Sequence, residues 1–239
     1  MDIDAAIAAT LADNVRTINQ RINAACRRAN RDSSDVQLIA VTKYAPLPAV
    51  KAIADFHPVC GENRPQQLAE RHELLPHVQW HLIGQLQRNK VRLAVKHAHL
   101  IHSVDSLKLL ESIADAAKRE NRCPKLLLQV NASRETAKSG FDPDQLPDLW
   151  PQILNAAPPQ SICGLMTMAA ETSEPESARP TFQLLRQLRD NLQLRPETTA
   201  TNTQLRHLSM GMSGDFEVAV EEGATLVRVG SAVFHGIDC

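Results

Sequence analysis

The sequence lacks the features that mark membrane, nucleic-acid-binding and secreted proteins. No apolar run approaches the roughly 20 residues that a membrane-spanning helix needs. The 26 Lys and Arg residues nearly balance the 27 Asp and Glu residues, so no excess of positive charge indicates a nucleic-acid partner. No basic segment precedes an apolar stretch at the N-terminus, as it would in a signal peptide. We therefore expect a cytoplasmic protein without a membrane or nucleic-acid partner.

Cysteine and glycine patterns argue against three further possibilities. The five cysteines are an odd number, are widely scattered and form no CxxC pair, which argues against a disulfide framework and a cysteine-based zinc site. We expect reduced thiols and no bound metal, with Cys239 the most exposed thiol. The dinucleotide-binding fingerprint GxGxxG is also absent. Its absence argues against a doubly wound open sheet, the alternative to the fold considered next.

The sequence does contain a regular alternation of apolar runs and amphipathic segments. Spacings of three and four over residues 3–30 predict a long helix that packs on the outside of the fold or across one end. The predicted strands are 36–42, 58–60, 78–83, 100–103, 125–131, 161–166, 207–210 and 225–229. The predicted helices between them are 47–55, 65–75, 86–97, 106–120, 143–156, 174–193 and 214–222. The segment 195–203, with four threonines, is interpreted as an exposed connection.

This order of elements favours an α/β fold, a single (β/α)8 TIM barrel. We expect one domain over 1–239, divided into an N-terminal helical extension at 1–34 and the barrel at 35–239.

Lys43 follows the first apolar run and precedes Pro46 and Pro48, which predicts that it lies where a buried strand ends. That end of a barrel carries the functional groups, and phosphate commonly binds in the loops after strands seven and eight. The segments 209–215 and 228–231 fall at those loops and contain glycines and hydroxyl groups suited to an anion. Taken alone, the lysine is interpreted as a side chain that extends to solvent, and the glycines are interpreted as turns. Together they suggest pyridoxal 5′-phosphate (PLP), whose aldehyde reacts with an amine.

Seven motifs in order give a chain-wide resemblance. They are Ala40-Val41-Thr42-Lys43, Gly61-Glu62-Asn63, Trp80-His81-Leu82-Ile83-Gly84 with its continuation to residue 90, Lys138-Ser139-Gly140, Gly164-Leu165-Met166, Ser209-Met210-Gly211-Met212-Ser213, and Val227-Arg228-Val229-Gly230-Ser231 with its continuation to residue 234. From about residue 36 to residue 236 the chain resembles the PLP homeostasis proteins. It departs from them at residues 64–67, where an aromatic residue and a valine are usual, so the loop after strand two is expected to differ.

The resemblance implies a barrel of the alanine racemase N-terminal-domain type. It implies that PLP is held as a Schiff base on Lys43, that Ser209, Gly230 and Ser231 contact its phosphate, and that Arg228 faces its pyridine nitrogen. The full set of candidate cofactor-binding residues is Lys43, Asn63, His81, Ser209, Met210, Gly211, Arg228, Gly230 and Ser231. No catalytic residue is assigned.

The resemblance also implies a role in intracellular PLP (vitamin B6) homeostasis without established turnover. Related racemases use a second base, a tyrosine from a partner subunit's second domain. Here the sequence ends soon after the eighth strand, and the only tyrosine, Tyr44, is expected to point away from Lys43. We therefore expect a carrier that delivers PLP to apo PLP-dependent enzymes, with Lys138, on the strand-five loop, as a transient acceptor. The resemblance also implies a monomer.

Two alternatives stay open. One is a small PLP-dependent amino-acid racemase or lyase, in which His81 serves as a base. The other is a barrel that uses the same loops for a phosphosugar and binds no PLP.

Overall fold

A computed structural model of the chain describes residues 3–158, 160–171 and 173–237, so the expectation about Cys239 lies outside the described residues. Within them, eight parallel strands pair in chain order and close into a barrel, with β1 hydrogen-bonded to β8. The strands are β1 (Gln37–Val41), β2 (Val59–Glu62), β3 (Gln79–Leu82), β4 (Leu100–Val104), β5 (Lys125–Gln129), β6 (Ile162–Met166), β7 (His207–Ser209) and β8 (Leu226–Val229). The predicted (β/α)8 barrel is confirmed.

One helix precedes the first strand, the others follow strands, and together they cover the barrel. They are α1 (Ile3–Arg28), α2 (Leu47–Ala54), α3 (Pro65–Leu74), α4 (Val91–His97), α5 (Leu107–Glu120), α6 (Leu146–Ala156), α7 (Arg179–Gln193), α8 (Pro196–Ala200) and α9 (Phe216–Glu221). Single 3₁₀ turns occupy Ser33–Asp35, Arg88–Lys90 and Pro175–Ala178. None of the helices in the described part of the chain is long and apolar enough to cross a membrane.

The strands bury apolar side chains on both faces, as expected of a parallel sheet. One face packs under the helices in a large apolar layer. The other face fills the barrel with a small separate cluster made of Ile39, Val59, Leu100, Leu127, Met166 and Leu226. Nearer the carboxyl ends of the strands, the interior carries buried polar groups instead, among them His102 and Arg228. This polar part of the interior positions the site.

The extension α1 packs on the outside of the barrel, against α2 and α9. Its stripe of Leu11, Ile18 and Ile22 is buried, as the periodicity predicts. Asn14 on the same helix donates through Nδ2 to the carbonyl of Val233, at 2.9 Å, and so holds the chain just beyond β8. The division at 34/35 into extension and barrel stays a prediction.

Two local predictions are wrong, one of them in part. The second strand is longer than predicted and includes Glu62, whose side chain is buried. The prediction for the threonine-rich segment is wrong in part, because residues 199–202 are exposed but the segment contains α8 and buries Thr198. There the Thr198 hydroxyl is buried, accepts from Trp150 Nε1 at 2.7 Å and donates to the Leu192 carbonyl at 2.5 Å.

Candidate functional site

Lys43 lies on a tight turn directly after β1. The turn closes with the N–H of Ala45 donating to the carbonyl of Thr42 at 2.9 Å, and Lys43 is half-buried within it. The Lys43 Nζ lies 4.9 Å from the centroid of the Tyr44 ring, within the range of a cation–π contact. The expectation that Tyr44 points away from Lys43 is therefore wrong. The predicted position of Lys43 at a strand end is where the structure places it.

A buried ion pair beneath the turn fixes its shape. Arg71 on α3 donates to the carbonyls at both ends of the turn, through Nη1 to Thr42 at 2.8 Å and through Nη2 to Ala45 at 3.1 Å. The same guanidinium pairs with Glu62, which also accepts from the Thr42 hydroxyl. When the Gln67 amide is oriented with its nitrogen toward Glu62, it donates a further hydrogen bond to Glu62 Oε2 at 3.2 Å. We call Arg71 and Glu62 the turn clamp.

The turn clamp carries charge inside the protein. The side chains of Arg71 and Glu62 are 8% and 0% exposed. Burial raises the pKa of Glu62, and the Thr42 hydroxyl and Arg71 oppose that rise. Sequence reasoning missed Arg71, although a carboxylate ending a buried strand is a signal that a buried cation lies nearby.

A cavity of about 740 Å³ opens beside the turn, and Lys43, Tyr44, Asn63 and Glu70 are among its lining residues. Lys43 and Asn63 thus line the same cavity. Gly84, after β3, lets the backbone of Asn63 pack closely against it, because a Cβ at position 84 would lie 2.2 Å from the carbonyl oxygen of Asn63. Any larger residue at position 84 would push the strand-two loop outward.

On the other side of Lys43, β7 and β8 bring Ser209 and Arg228 together. Arg228 donates through Nη1 to Ser209 Oγ at 2.5 Å and through Nη2 to the carbonyl of Thr167 at 2.9 Å. Both side chains are buried, and burial lowers the pKa of Arg228 to about 10. The guanidinium is therefore still protonated at neutral pH and can only donate.

The two glycine loops differ in what they offer a ligand. Gly211 has φ +93°, and a Cβ there would lie 2.6 Å from the Cβ of Ala219, so only glycine fits. Met210 before it offers little, since its side chain is buried in the core and its N–H donates to Leu226. In the second loop, Ser231 is exposed and Gly230 lies against Val41, two residues before Lys43. The loops and Lys43 thus share one end of the barrel.

His81 lies on β3, one residue before the end of the strand. It is buried in the barrel, with Nδ1 3.0 Å from His102 Nε2, and His102 Nδ1 lies 2.8 Å from Ser209 Oγ. Burial lowers the pKa of His81 to about 3 and that of His102 well below its usual range. His102 was not predicted, although a histidine inside an apolar strand is a signal for an interior polar contact.

This set of groups fits a phosphorylated aldehyde. Lys43 offers an amine, Ser209 and Ser231 offer hydroxyls, and Arg228 offers a guanidinium, around a loop that only Gly211 allows. Lys138, by contrast, is already engaged, since Nζ donates to the Ala169 carbonyl at 2.9 Å and pairs with Glu135. In the described residues no group of three or more His, Cys, Asp or Glu side chains is arranged to hold a metal ion.

Comparison with known proteins assigns the family. Residues 9–237 match the family model described as alanine racemase, N-terminal domain. The pyridoxal phosphate homeostasis protein of Aquifex aeolicus is 38% identical over 225 residues, which are 93% of this chain and 96% of that protein. The chain belongs to the pyridoxal phosphate homeostasis protein family. The human family member is 34% identical over 92% of this chain and 84% of its own length.

Solved structures of known proteins match the fold of this chain. The structure of PipY from Synechococcus elongatus with PLP bound has a TM-score of 0.73 at 37% identity, and the match covers 91% of this chain and 99% of the PipY chain. A Bifidobacterium adolescentis protein of unknown function has a TM-score of 0.86 at 34% identity, over 98% and 97% of the two chains. An alanine racemase from Clostridium difficile matches at 0.68 with 14% identity, over 95% of this chain and 58% of the racemase, and shows the shared barrel alone.

Proposed function

We propose that this chain binds PLP covalently at Lys43, keeps it in reserve and delivers it to apo PLP-dependent enzymes. The observation that carries the proposal is the Lys43 turn, held by the turn clamp and adjoining the loop of Gly230. The names of the relatives and the PLP bound to PipY support it. A monomeric state, a cytoplasmic location and the recipient enzymes stay predictions of the sequence.

Each residue has a separate part in this proposal. Lys43 supplies the attaching amine, while Ser209, Ser231 and the backbone around Gly211 receive the phosphate. Bound PLP supplies an aldehyde for that amine and a ring that can withdraw electrons. Arg228 would serve as the partner of the ring nitrogen, and because its guanidinium only donates, that nitrogen would stay unprotonated and withdraw electrons weakly. Weak withdrawal favours storage over turnover.

Trapping tests the attachment. The purified chain is incubated with PLP, reduced with borohydride and mapped by peptide mass spectrometry. We expect one adduct, on Lys43, and its loss in Lys43→Arg, which keeps the charge but not the reactive amine. Lys138→Arg is the matched control and should keep the adduct. An adduct of equal yield in Lys43→Arg would overturn the assignment.

Delivery is tested separately. The loaded chain is mixed with an apo PLP-dependent enzyme and an excess of a trap for free PLP. Direct delivery predicts that enzyme activity returns despite the trap. Recovery that the trap abolishes would show release into solution and would contradict direct delivery, while leaving storage intact.

One observation favours the alternative of a racemase or lyase. The centroid of the Tyr44 ring lies 4.9 Å from the Lys43 amine, so a phenol side chain is next to the attachment point. The alternative predicts inversion or breakdown of an amino acid that stops in both Lys43→Arg and Tyr44→Phe. Carrier function predicts no turnover in the parent chain and unchanged PLP attachment in Tyr44→Phe.

A further inference from the structure

Four buried side chains form one hydrogen-bonded chain inside the barrel. It runs from Arg228 Nη1 to Ser209 Oγ (2.5 Å), from Ser209 Oγ to His102 Nδ1 (2.8 Å), and from His102 Nε2 to His81 Nδ1 (3.0 Å). His81, His102, Ser209 and Arg228 stand on β3, β4, β7 and β8, so the chain crosses the barrel interior. We call these four residues the interior chain.

The chemistry of the groups gives the interior chain a direction. Arg228 has no acceptor, so Ser209 Oγ must accept from it. The single Ser209 proton is then available for His102 Nδ1, which is bare in the ring form that carries its proton on Nε2. The Nε2–H group of His102 in turn donates to Nδ1 of His81. Nδ1 of His81 is then bare, so the proton of His81 lies on its Nε2.

The opposite direction is less favourable in the absence of a ligand. If His102 donated to Ser209 through Nδ1, the buried Ser209 hydroxyl would have no acceptor in the interior chain. His81 Nε2 is buried without a hydrogen-bond partner among the described residues in either case. The forward direction therefore leaves one unpaired group, and the reverse direction leaves two.

An anion at Ser209 changes this balance. A phosphate dianion accepts hydrogen bonds and donates none, so Ser209 can bond to it only by turning its proton away from His102. His102 Nδ1 would then face the serine oxygen with lone pair against lone pair. Moving the proton of His102 from Nε2 to Nδ1, and that of His81 likewise, restores both hydrogen bonds with no net gain or loss of protons.

We propose that His102 is a positioning residue for Ser209, and that uptake of a phosphate group at Ser209 reverses the direction of the interior chain. The two histidine rings thereby report, from within the barrel, whether the phosphate site is filled. The proposal rests on the proposed function only in taking Ser209 as a phosphate contact, and it does not require attachment at Lys43.

Nuclear magnetic resonance of the full chain with isotope-labelled histidine tests the proposal at about pH 8, where phosphate is mainly a dianion. Ring nitrogen shifts distinguish bare from protonated nitrogens, and His81→Phe and His102→Phe assign the signals. We expect both rings to carry the proton on Nε2 in the free protein. Saturation with inorganic phosphate or with PLP should move both protons to Nδ1.

The outcomes separate this inference from the proposed function. Nδ1 protons in the free protein, or no change with either probe, would overturn the interior chain as a reporter. A borohydride-trapped adduct on Lys43 without any ring change would overturn it while leaving storage of PLP standing. A ring change with inorganic phosphate but no adduct on Lys43 would support it and overturn the proposed function.

Binding to variants gives a second readout. His102→Phe breaks the link between Ser209 and His81, so binding of inorganic phosphate should no longer move the proton of the His81 ring. His99→Phe is the matched control, because the ring of His99 stacks on His81 with centroids 5.7 Å apart and takes no part in the interior chain. Loss of the His81 response in both variants would indicate general loosening of the barrel and contradict the positioning role.

Discussion

Arg71 links the position of the reactive amine to a buried charge. Its two nitrogens hold the carbonyls of Thr42 and Ala45, and its charge is balanced by Glu62. The Lys43 side chain contacts the Tyr44 ring, whereas the carbonyls on either side of Lys43 are bound by Arg71 on α3. The position of Lys43 therefore depends on Arg71. The conformation of the turn therefore depends on an ion pair that never reaches the cavity.

Removing one partner of this pair should cost far more than removing both. Arg71→Met leaves Glu62 buried and unpaired, and we expect a loss of about 3–5 kcal/mol in the free energy of unfolding. The Arg71→Met/Glu62→Leu double variant removes both charges and should recover most of that loss. Urea unfolding of the parent, the single variant and the double variant measures the difference.

The same variants separate stability from placement. If the turn clamp positions Lys43, borohydride trapping of PLP should stay slow in the double variant even where stability has returned. Trapping at the parent rate in the double variant would mean that the turn keeps its shape without the clamp.

At the scale of elements, the loop from β7 to α9 contains two glycines with opposite demands. Gly211 has φ +93° and no room for a Cβ, whereas Gly214 has open space around the position of a Cβ. Gly211→Ala should therefore destabilise the protein by about 2 kcal/mol or more, from backbone strain and overpacking. Gly214→Ala should change stability by less than about 1 kcal/mol, in either direction.

Thermal unfolding and phosphate affinity of the two variants check this prediction. Gly211→Ala should also bind inorganic phosphate more weakly, because the loop must shift to accept the methyl group. Equal effects of the two substitutions would show that the loop adapts, and would contradict the view that Gly211 shapes the phosphate site.

Elements with strong periodicity could be predicted from the sequence, and interior contacts could not. The apolar runs place all eight strands, and Lys43, because burial on both faces leaves a local signal. The helix α8 was missed because its threonines resemble a loop, and the burial of Thr198 depends on Trp150, far away in the chain. Arg71 and His102 were missed for the same reason, since their partners come from other strands.

At the scale of the whole molecule, the interior chain makes stability depend on pH. Burial lowers the pKa of His81 to about 3 and that of His102 well below the 6.5 of a free histidine. In the unfolded chain both rings take up protons near pH 6.5. Below that pH the unfolded state binds more protons than the folded state, so the free energy of unfolding falls as pH falls.

The size and direction of this effect can be tested. From about pH 6.5 to about pH 5, the two rings together should cost about 3 kcal/mol, in addition to the change from other groups. The His81→Phe/His102→Phe variant should lack that part of the fall, and His77→Gln, at an exposed position, should keep it. Urea unfolding at the two pH values measures the difference. If the double variant lost stability as steeply as the parent, the two rings would not be held neutral in the folded barrel, and the proton order of the interior chain would lose its basis.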